Sequence, residues 1–435
     1  MLRASLRFLW QRAETMLAVV NTAAGSAYWL ALAFTMTAAA YGQLMALQAA
    51  VLLFGIVLSF RTHDLVFYAR SELGYAFARS VRVAMAIEWL TTLVAIPVAT
   101  IGAILYLSAI GQSVPLLGLA GFAVLSCVGT NHGAAIAQLR YAGHGDLIFR
   151  ADALCVATWL AVLCVIPFAD RLELAVLLLL GALPMAVRAV WLTVHAIMTT
   201  RGADLPPRIA PSPGERAAIV RFLLNGQLVN VFKNGAVSLE TLVLAAFASD
   251  RVVGLYRIVR GALGVSVAAL NVMYQKAFPK LSRAATAEEK RSIVSHLDRN
   301  SALVQLAMLP LAAVVILVYA FMRKDVDASA ISLLLVGIAA SQLPAALQQG
   351  SFAVLSLAGR HHAASIGFVL SAAVLAVTGA VMVFQPTLVV FLCGLTLANL
   401  LRLGWIKYHA ARAIDLGTPS IAESGPADRS EALPR

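Results

Sequence analysis

The chain has 435 residues, of which 61 % are hydrophobic and 12 % charged, with a mean hydropathy of +0.85. Soluble globular proteins carry about 25 % charged residues, so a water-soluble enzyme, a disordered chain and a disulfide scaffold are excluded, and a polytopic helical membrane protein is predicted. The formal charge of +12 reads as the positive-inside rule rather than as nucleic-acid binding.

The N-terminus, Met1–Gln11, is basic, and the apolar stretch behind it is too long for a cleaved signal peptide. It reads as the mature start, with the first helix as a signal anchor. No Asp, Glu, Lys or Arg occurs from Thr15 to Phe60 or from Trp89 to Leu139. A spanning helix takes about 20 apolar residues, so each stretch holds two spans and a tight turn. Runs such as Leu174–Leu180 do not alternate apolar and polar residues, which favours helices over a β-barrel. Twelve spans are predicted, near 15–38, 42–62, 83–107, 114–137, 150–168, 173–196, 219–247, 252–275, 300–321, 329–355, 363–384 and 387–409. The loop from Pro279 to Arg299 is expected to carry an amphipathic surface helix over Ala284–His296.

The polar linker Thr199–Arg216, with Pro206, Pro207, Pro211 and Pro213, divides the spans into six and six. The predicted organisation is an N-terminal six-helix lobe over 1–200, a cytoplasmic linker over 201–218, a C-terminal six-helix lobe over 219–412 and a disordered cytoplasmic tail over 413–435. Of the Lys and Arg outside the span interiors, 25 fall on one side of this topology. The other side has Arg171, Arg251, Arg323 and Lys324, which predicts both termini in the cytoplasm. Two pairs of marks suggest an internal repeat. Ala40-Tyr41-Gly42 opens span two as Val253-Gly254-Leu255-Tyr256 opens span eight. Ala142-Gly143-His144 follows span four as Ala358-Gly359-Arg360 follows span ten. With six spans on each side of the linker, they suggest parallel repeats about an axis along the membrane normal.

No phosphate loop, HExxH or GxSxG occurs, so neither an enzyme nor a cofactor is expected. Cys127, Cys155, Cys164 and Cys393 lie in apolar spans and form no ligand cluster. Gly129-Thr130-Asn131-His132-Gly133 matches GxxxG and predicts close helix packing in span four. Asn21, Gly25 and Tyr28 form a polar face of span one, and His63 and Asp64 sit at the inner end of span two. In span seven, Gln227, Asn230, Asn234, Ser238 and Thr241 share one face of a helix, with Lys233 and Glu240 on a neighbouring face. Charge in hydrocarbon costs several kcal/mol unless it meets protein or water, so this stripe faces a cavity or an inter-helix salt bridge. Span eight places Arg257, Arg260, Gly264, Asn271 and Gln275 on one stripe. Its arginines either snorkel to headgroups or wall a cavity suited to phosphate oxygens. Gln342, Gln348 and Gln349 of span ten suit a hydroxyl-rich ligand or helix–helix hydrogen bonds. Glu88 and Glu240 are the carboxylates most clearly within spans, and are the candidates for ion coupling.

The stretch from Phe247 to Ala284, with Val253, Gly254 and Tyr256 after a tight turn and Pro279, Leu281 and Ser282 at its end, resembles the Wzx-type polysaccharide flippases of the MOP exporter superfamily. Tyr41-Gly42 and Leu357-Ala358-Gly359-Arg360 resemble the turns after that family's first and tenth spans. The resemblance implies two six-helix lobes around a central cavity that opens alternately to each side of a bacterial inner membrane. It implies transport of an undecaprenyl-pyrophosphate-linked oligosaccharide to the outer leaflet, for surface polysaccharide such as O-antigen lipopolysaccharide or exopolysaccharide. A polymerase and glycosyltransferases of that assembly are the implied partners. Lys233, Arg257 and Arg260 fit the family's cationic cavities by span. A cation-coupled drug antiporter of the same superfamily is the nearest alternative. A membrane glycosyltransferase or polymerase is a further one, disfavoured by the short outer loops.

Overall fold

The computed structural model describes residues 2–415 except 61, 72, 74, 113, 201–210, 285, 324–327 and 359. Pro206, Pro207, Gly359, Lys324, the tail beyond 415 and the side chains of Asn271 and Gln275 thus lie outside the described residues. The first half comprises α1 (Leu2–Thr35), α2 (Ala38–Ile56), α3 (Thr62–Ser71), α4 (Phe77–Ala109), α5 (Leu116–Thr130), α6 (Gly133–Tyr141), α7 (Gly145–Leu163) and α8 (Leu174–Thr200). The second comprises α9 (Pro213–Asn234), α10 (Ala236–Phe247), α11 (Asp250–Arg283), α12 (Ala287–Met322), α13 (Ala328–Ala346), α14 (Gln349–Leu357), α15 (His361–Phe384) and α16 (Leu388–Asp415).

Three of the predicted spans are built in two pieces: α5 with α6, α9 with α10, and α13 with α14. Counted so, and with the short α3 apart, the described helices make twelve spans in two six-helix lobes. Eight of them are long and apolar enough to cross a membrane, and α9 with α10, bent by 55°, makes a ninth. Of the other three, α7 carries Asp146, Arg150 and Asp152, and α11 carries Asp250, Arg251, Arg257 and Arg260. Apolar side chains such as Leu90, Leu93, Ile101 and Leu105 of α4, and Leu311, Val314 and Leu317 of α12, are exposed on the outer surface, where a bilayer covers them.

Two expectations are corrected. The segment over 284–296 is no separate surface helix. From Ala287 it runs without a break into α12, because no Gly or Pro occurs before Pro310; Thr286 caps its start by accepting from the Glu289 N–H at 3.1 Å. The C-terminal lobe starts at Pro213 rather than 219. There Ser212 and Glu215 form a reciprocal capping box.

The two lobes repeat one packing scheme. In each, the fourth span packs on the sixth (α5 on α8, α13 on α16) and the second on the third (α2 on α4, α11 on α12). The first packs on the fifth in the same way (α1 on α7, α9 on α15). The marks of the internal repeat coincide with this symmetry. A Cβ on Gly42 would stand 1.8 Å from the Asp250 carbonyl oxygen, and one on Gly254 2.1 Å from that of Ala38. The α2 and α11 backbones thus touch reciprocally, which only glycine allows. After α6, Gly143 (φ +78°) closes a turn in which the His144 N–H returns to the Leu139 carbonyl. After α14 the Arg360 N–H returns likewise to Leu355. Both are the long bond of a Schellman cap.

Around the Gly42–Gly254 crossing the lobes share one apolar core, in which Leu32, Tyr41 and Leu44 meet Val253, Tyr256 and Tyr319. Gln43 and Gln112 both donate to Asp250 across the gap at 2.8 Å, and Arg323 donates to the Phe34 carbonyl at 2.9 Å. This is the arginine-poor end. Toward the arginine-rich end the apolar clusters separate. One lies among α9, α11, α14, α15 and α16, and another among α6, α7 and α8. A third joins α3, α4 and α6 to the first turns of α9.

Candidate functional site: an interlobe cavity and two broken spans

Where the lobes part, a cavity of about 660 Å³ opens. One wall is the end of α2, Ser59, Thr62, Glu88 of α4 and the break between α5 and α6; the other is Asn230, Asn234 and Ser238. Val51, Leu52, Ile56, Phe60 and Met185 give it an apolar side. His63, Asp64, Glu88, His132 and the Cys127 thiol are the titratable groups on the described lining, which holds no Lys or Arg. His63 and Asp64 stand 3.6 Å apart, half exposed.

The α2 end is pinned to α9 by amides from the predicted span-seven stripe. Gln227 donates to the carbonyls of Ile56 and Val57 at 2.7 and 2.8 Å, and Asn230 to that of Ser59 at 2.5 Å. They satisfy carbonyls that the end of a helix leaves without intrahelical partners. Asn234 donates to Asn230 at 2.6 Å. Beyond it the helix bends at Gly235, so the stripe is not straight; Thr241 turns back on the Val237 carbonyl at 2.7 Å.

The cationic patch expected from Lys233, Arg257 and Arg260 does not form among the described residues. Lys233 lies before the bend, with its ammonium 4.5 Å from the Phe352 ring and 5.8 Å from that of Tyr274. Arg257 donates to Gln48 of α2 at 3.0 Å, across the lobe boundary. Arg260 pairs with Glu240 at 3.3 Å, and the same carboxylate accepts from the Tyr256 hydroxyl. Neither arginine snorkels, and Glu240 is buried in an ion pair away from the cavity. Gln342 accepts from Gln305 at 3.0 Å inside the C-terminal lobe, and Gln349 donates to the Ala345 carbonyl at 3.4 Å. These glutamines hold helices together. Of the polar and charged residues singled out in the sequence, Asn230, Asn234 and Ser238 of the stripe line the cavity, with Glu88, His63 and Asp64.

The structure also joins residues singled out in the sequence to others that were not, Arg188, Asp152 and Asp298, and it does so twice. In the N-terminal lobe, Glu88 accepts the Gly133 and Ala134 N–H groups at 2.7 and 3.2 Å, capping α6 where the span is broken. In the C-terminal lobe, Asp298 of α12 accepts from the Gly350 N–H at 2.7 Å and the Ser351 hydroxyl at 3.5 Å, capping α14. An arginine from the sixth span meets the residue just before each cap. Arg188 donates to His132 Nε2 at 2.5 Å, and Arg402 donates to Gln348 at 3.3 Å. The counter-charges differ. Arg188 pairs with buried Asp152 at 2.5 Å, which Asn21 also reaches at 3.4 Å. Arg402 instead lies over the Phe368 ring at 4.9 Å and donates to Asn399 at 2.5 Å.

Arg402, one of the 25 cations that the sequence assigns to the arginine-rich side, is therefore an interior residue. The predicted polar face of span one is likewise turned into its own lobe: Asn21 to Asp152, Gly25 to the Trp159 ring, and the Tyr28 hydroxyl to the Leu177 carbonyl at 2.6 Å. The GxxxG reading is half right. A Cβ on Gly129 would lie 3.1 Å from the Ala186 N of α8, and one on Gly133 2.9 Å from Thr62 Oγ1. Both glycines permit close packing, but the helix breaks between them. The available signal was the pair of polar, glycine-bearing runs at the same place in both halves, Thr130–Gly133 and Gln348–Gly350.

Removing either cap loosens its half-helix. Losing a capping carboxylate costs about 1 kcal/mol. Glu88→Ala is thus expected to speed amide exchange in the first turn of α6 about five-fold, and Asp298→Ala to do the same for α14. Exchange measured by mass spectrometry on the detergent-solubilised chain checks this, and unaltered α6 and α14 peptides would disprove the capping roles.

No protein-family model and no curated protein matches the chain. Solved structures do. The chain is similar to a MATE transporter in complex with MaD5, at 12 % identity and a TM-score of 0.63, over 93 % of this chain and 95 % of the other. It is similar to a multidrug resistance MATE family transporter of the MOP superfamily in its inward-facing form, at 13 % identity and a TM-score of 0.58, over 92 % and 95 % of the two chains. The outward-facing form gives 13 % and 0.58, over 93 % and 95 %. At this identity the likeness shows a shared fold.

Proposed function

We propose that the protein is an alternating-access transporter that carries a lipid-linked oligosaccharide from the inner to the outer leaflet of a bacterial inner membrane, for surface polysaccharide assembly. The observation that carries this reading is the lining of the interlobe cavity. Hydroxyls and amides from both lobes, Ser59, Thr62, Asn230, Asn234 and Ser238, face the apolar side at Val51, Ile56 and Met185. A sugar headgroup crossing hydrocarbon unaided forfeits its hydrogen bonds to water, at several kcal/mol for each unsatisfied group. Neutral donors and acceptors replace that water, and the apolar side and the gap between lobes leave the lipid tail in the bilayer. The arginine-rich end is cytoplasmic, with both termini, so a cavity opening there is the loading state. No bond is made or broken, so the protein is no enzyme; a polymerase and glycosyltransferases supply and consume its cargo.

A cation-coupled antiporter is the second reading. It is favoured by Asp64 and Glu88, the charged residues on a described lining without Lys or Arg. One experiment separates the two. The chain is expressed in cells lacking their own flippase, and in cells lacking drug efflux, with membrane protein levels checked. Restored surface polysaccharide, lost again in an Asn230→Leu/Asn234→Leu variant, is expected. Drug resistance without polysaccharide, abolished by Glu88→Gln, would establish the antiporter instead.

A further inference from the structure

A second cavity, of about 560 Å³, lies outside the interlobe space, between α12, α14 and α16 of the C-terminal lobe. Its polar lining includes Ser295, Arg299, Ser351 and Lys407, and Ala302 and Leu303 continue it as an apolar wall. We propose that this groove binds an anionic glycerophospholipid, its phosphodiester on Arg299 and Lys407 and the start of its acyl chains on the apolar wall. The proposal is independent of what the interlobe cavity carries.

Depth is the first argument. On α12 the exposed leucines Leu303, Leu306 and Leu311 begin one turn beyond Arg299. On α16, which runs the other way, Leu397, Leu400 and Leu401 are exposed before Lys407, and Tyr408 follows it, 61 % exposed. Both cations therefore stand where hydrocarbon gives way to headgroups, at the level favoured by interfacial Tyr, Lys and Arg.

Charge is the second. Arg291 is paired with Asp415. Asp298 sits 3.9 Å from the Lys407 ammonium, but its oxygens are already committed to the start of α14. Arg299 meets the His296 ring nitrogen at 3.4 Å on the exposed face. One acid thus stands against two exposed cations from neighbouring helices on one groove lining, which offer a phosphodiester an arginine fork and a lysine point charge. Basic pockets between spanning helices near the headgroup layer take anionic lipid in this way. A free phosphate would use the cations alone; a phospholipid uses both the cations and the apolar wall. The repeat sharpens the contrast, because Asp298 opens onto this groove, whereas its counterpart Glu88 opens onto the interlobe cavity.

The full-length chain in detergent is titrated with phosphatidylglycerol or phosphatidylcholine, and bound lipid is counted by native mass spectrometry. Phosphatidylglycerol is expected to bind preferentially. Arg299→Gln and Lys407→Gln each weaken it about five-fold, and the double variant about thirty-fold. Arg299→Lys keeps most of the binding, and Arg150→Gln, at an exposed arginine of the other lobe, changes nothing. Each variant's melting midpoint is checked, and raising the salt from low to high weakens wild-type binding as a second measurement. Equal binding of the two lipids, full binding by the double variant, or displacement by millimolar inorganic phosphate would each overturn the proposal.

Discussion

Valine at Gly42 or Gly254 is expected to hold the two lobes apart at the arginine-poor end. A β-carbon at either position falls within 2.1 Å of a main-chain carbonyl oxygen of the other helix, and a backbone cannot swing aside as a side chain does. Overpacking a core costs about 1–3 kcal/mol even where side chains can yield. Here the contact recurs in reverse at the symmetry-related glycine, so relief requires separating α2 from α11. A cost of about 3 kcal/mol lowers the ratio of closed to open forms by more than about a hundred-fold. A cysteine pair at Gln43 and Asp250, whose side chains hydrogen-bond across the gap at 2.8 Å, reports closure through a short bismaleimide. Efficient cross-linking in the parent and its loss with Gly42→Val or Gly254→Val is the expected result, with transport lost in parallel. Undiminished cross-linking in both variants would show that the crossing is not what closes this end.

Arg188→Ala is expected to be the most destabilising single change within one lobe. Its guanidinium, 14 % exposed, joins Asp152 of α7, 4 % exposed, to His132 at the break between α5 and α6. Removing one member of a buried pair leaves the other charged and uncompensated, at about 3–5 kcal/mol. A fall of roughly 4 °C in the melting midpoint of the solubilised chain follows. Asp152→Asn/Arg188→Leu is expected to recover part of that loss, because no lone charge remains. A double variant no better than Arg188→Ala would show that the pair acts through the position of His132 rather than through charge balance.

The α5–α6 break shows how far local pattern reaches. Thr130, Asn131 and His132 interrupt an apolar span and are read equally well as a packing motif or as a break. The break is chosen by groups on other helices: Glu88 of α4 takes the first amides of α6, Asn131 donates to Thr92, and Arg188 of α8 takes His132. Without them α6 would begin with unsatisfied donors in hydrocarbon, which an unbroken helix avoids. Lys233 and Glu240 tell the same story. They are placed correctly on one side of an ideal helix, yet the bend at Gly235 sends one to aromatic rings and the other to Arg260.

From the residues alone came the membrane class, the six-and-six division, the approximate place of each span though not many of its ends, and the repeat marked by Gly42 and Gly254. Each rests on signals confined to one segment: hydropathy over about 20 residues, a proline-rich linker, a glycine beside an aromatic. Tertiary structure alone decided which polar residues see the cavity. Asn230 and Asn234 do, while Arg257, Arg260, Gln342 and Arg402 turn into helix contacts. The physical reason lies in the solvent. In water an apolar stripe marks the inward face, but in a bilayer the outward face is apolar as well. A polar side chain on a span then reveals only that it avoids lipid, and the packing of its neighbours determines whether it meets a cavity or another helix.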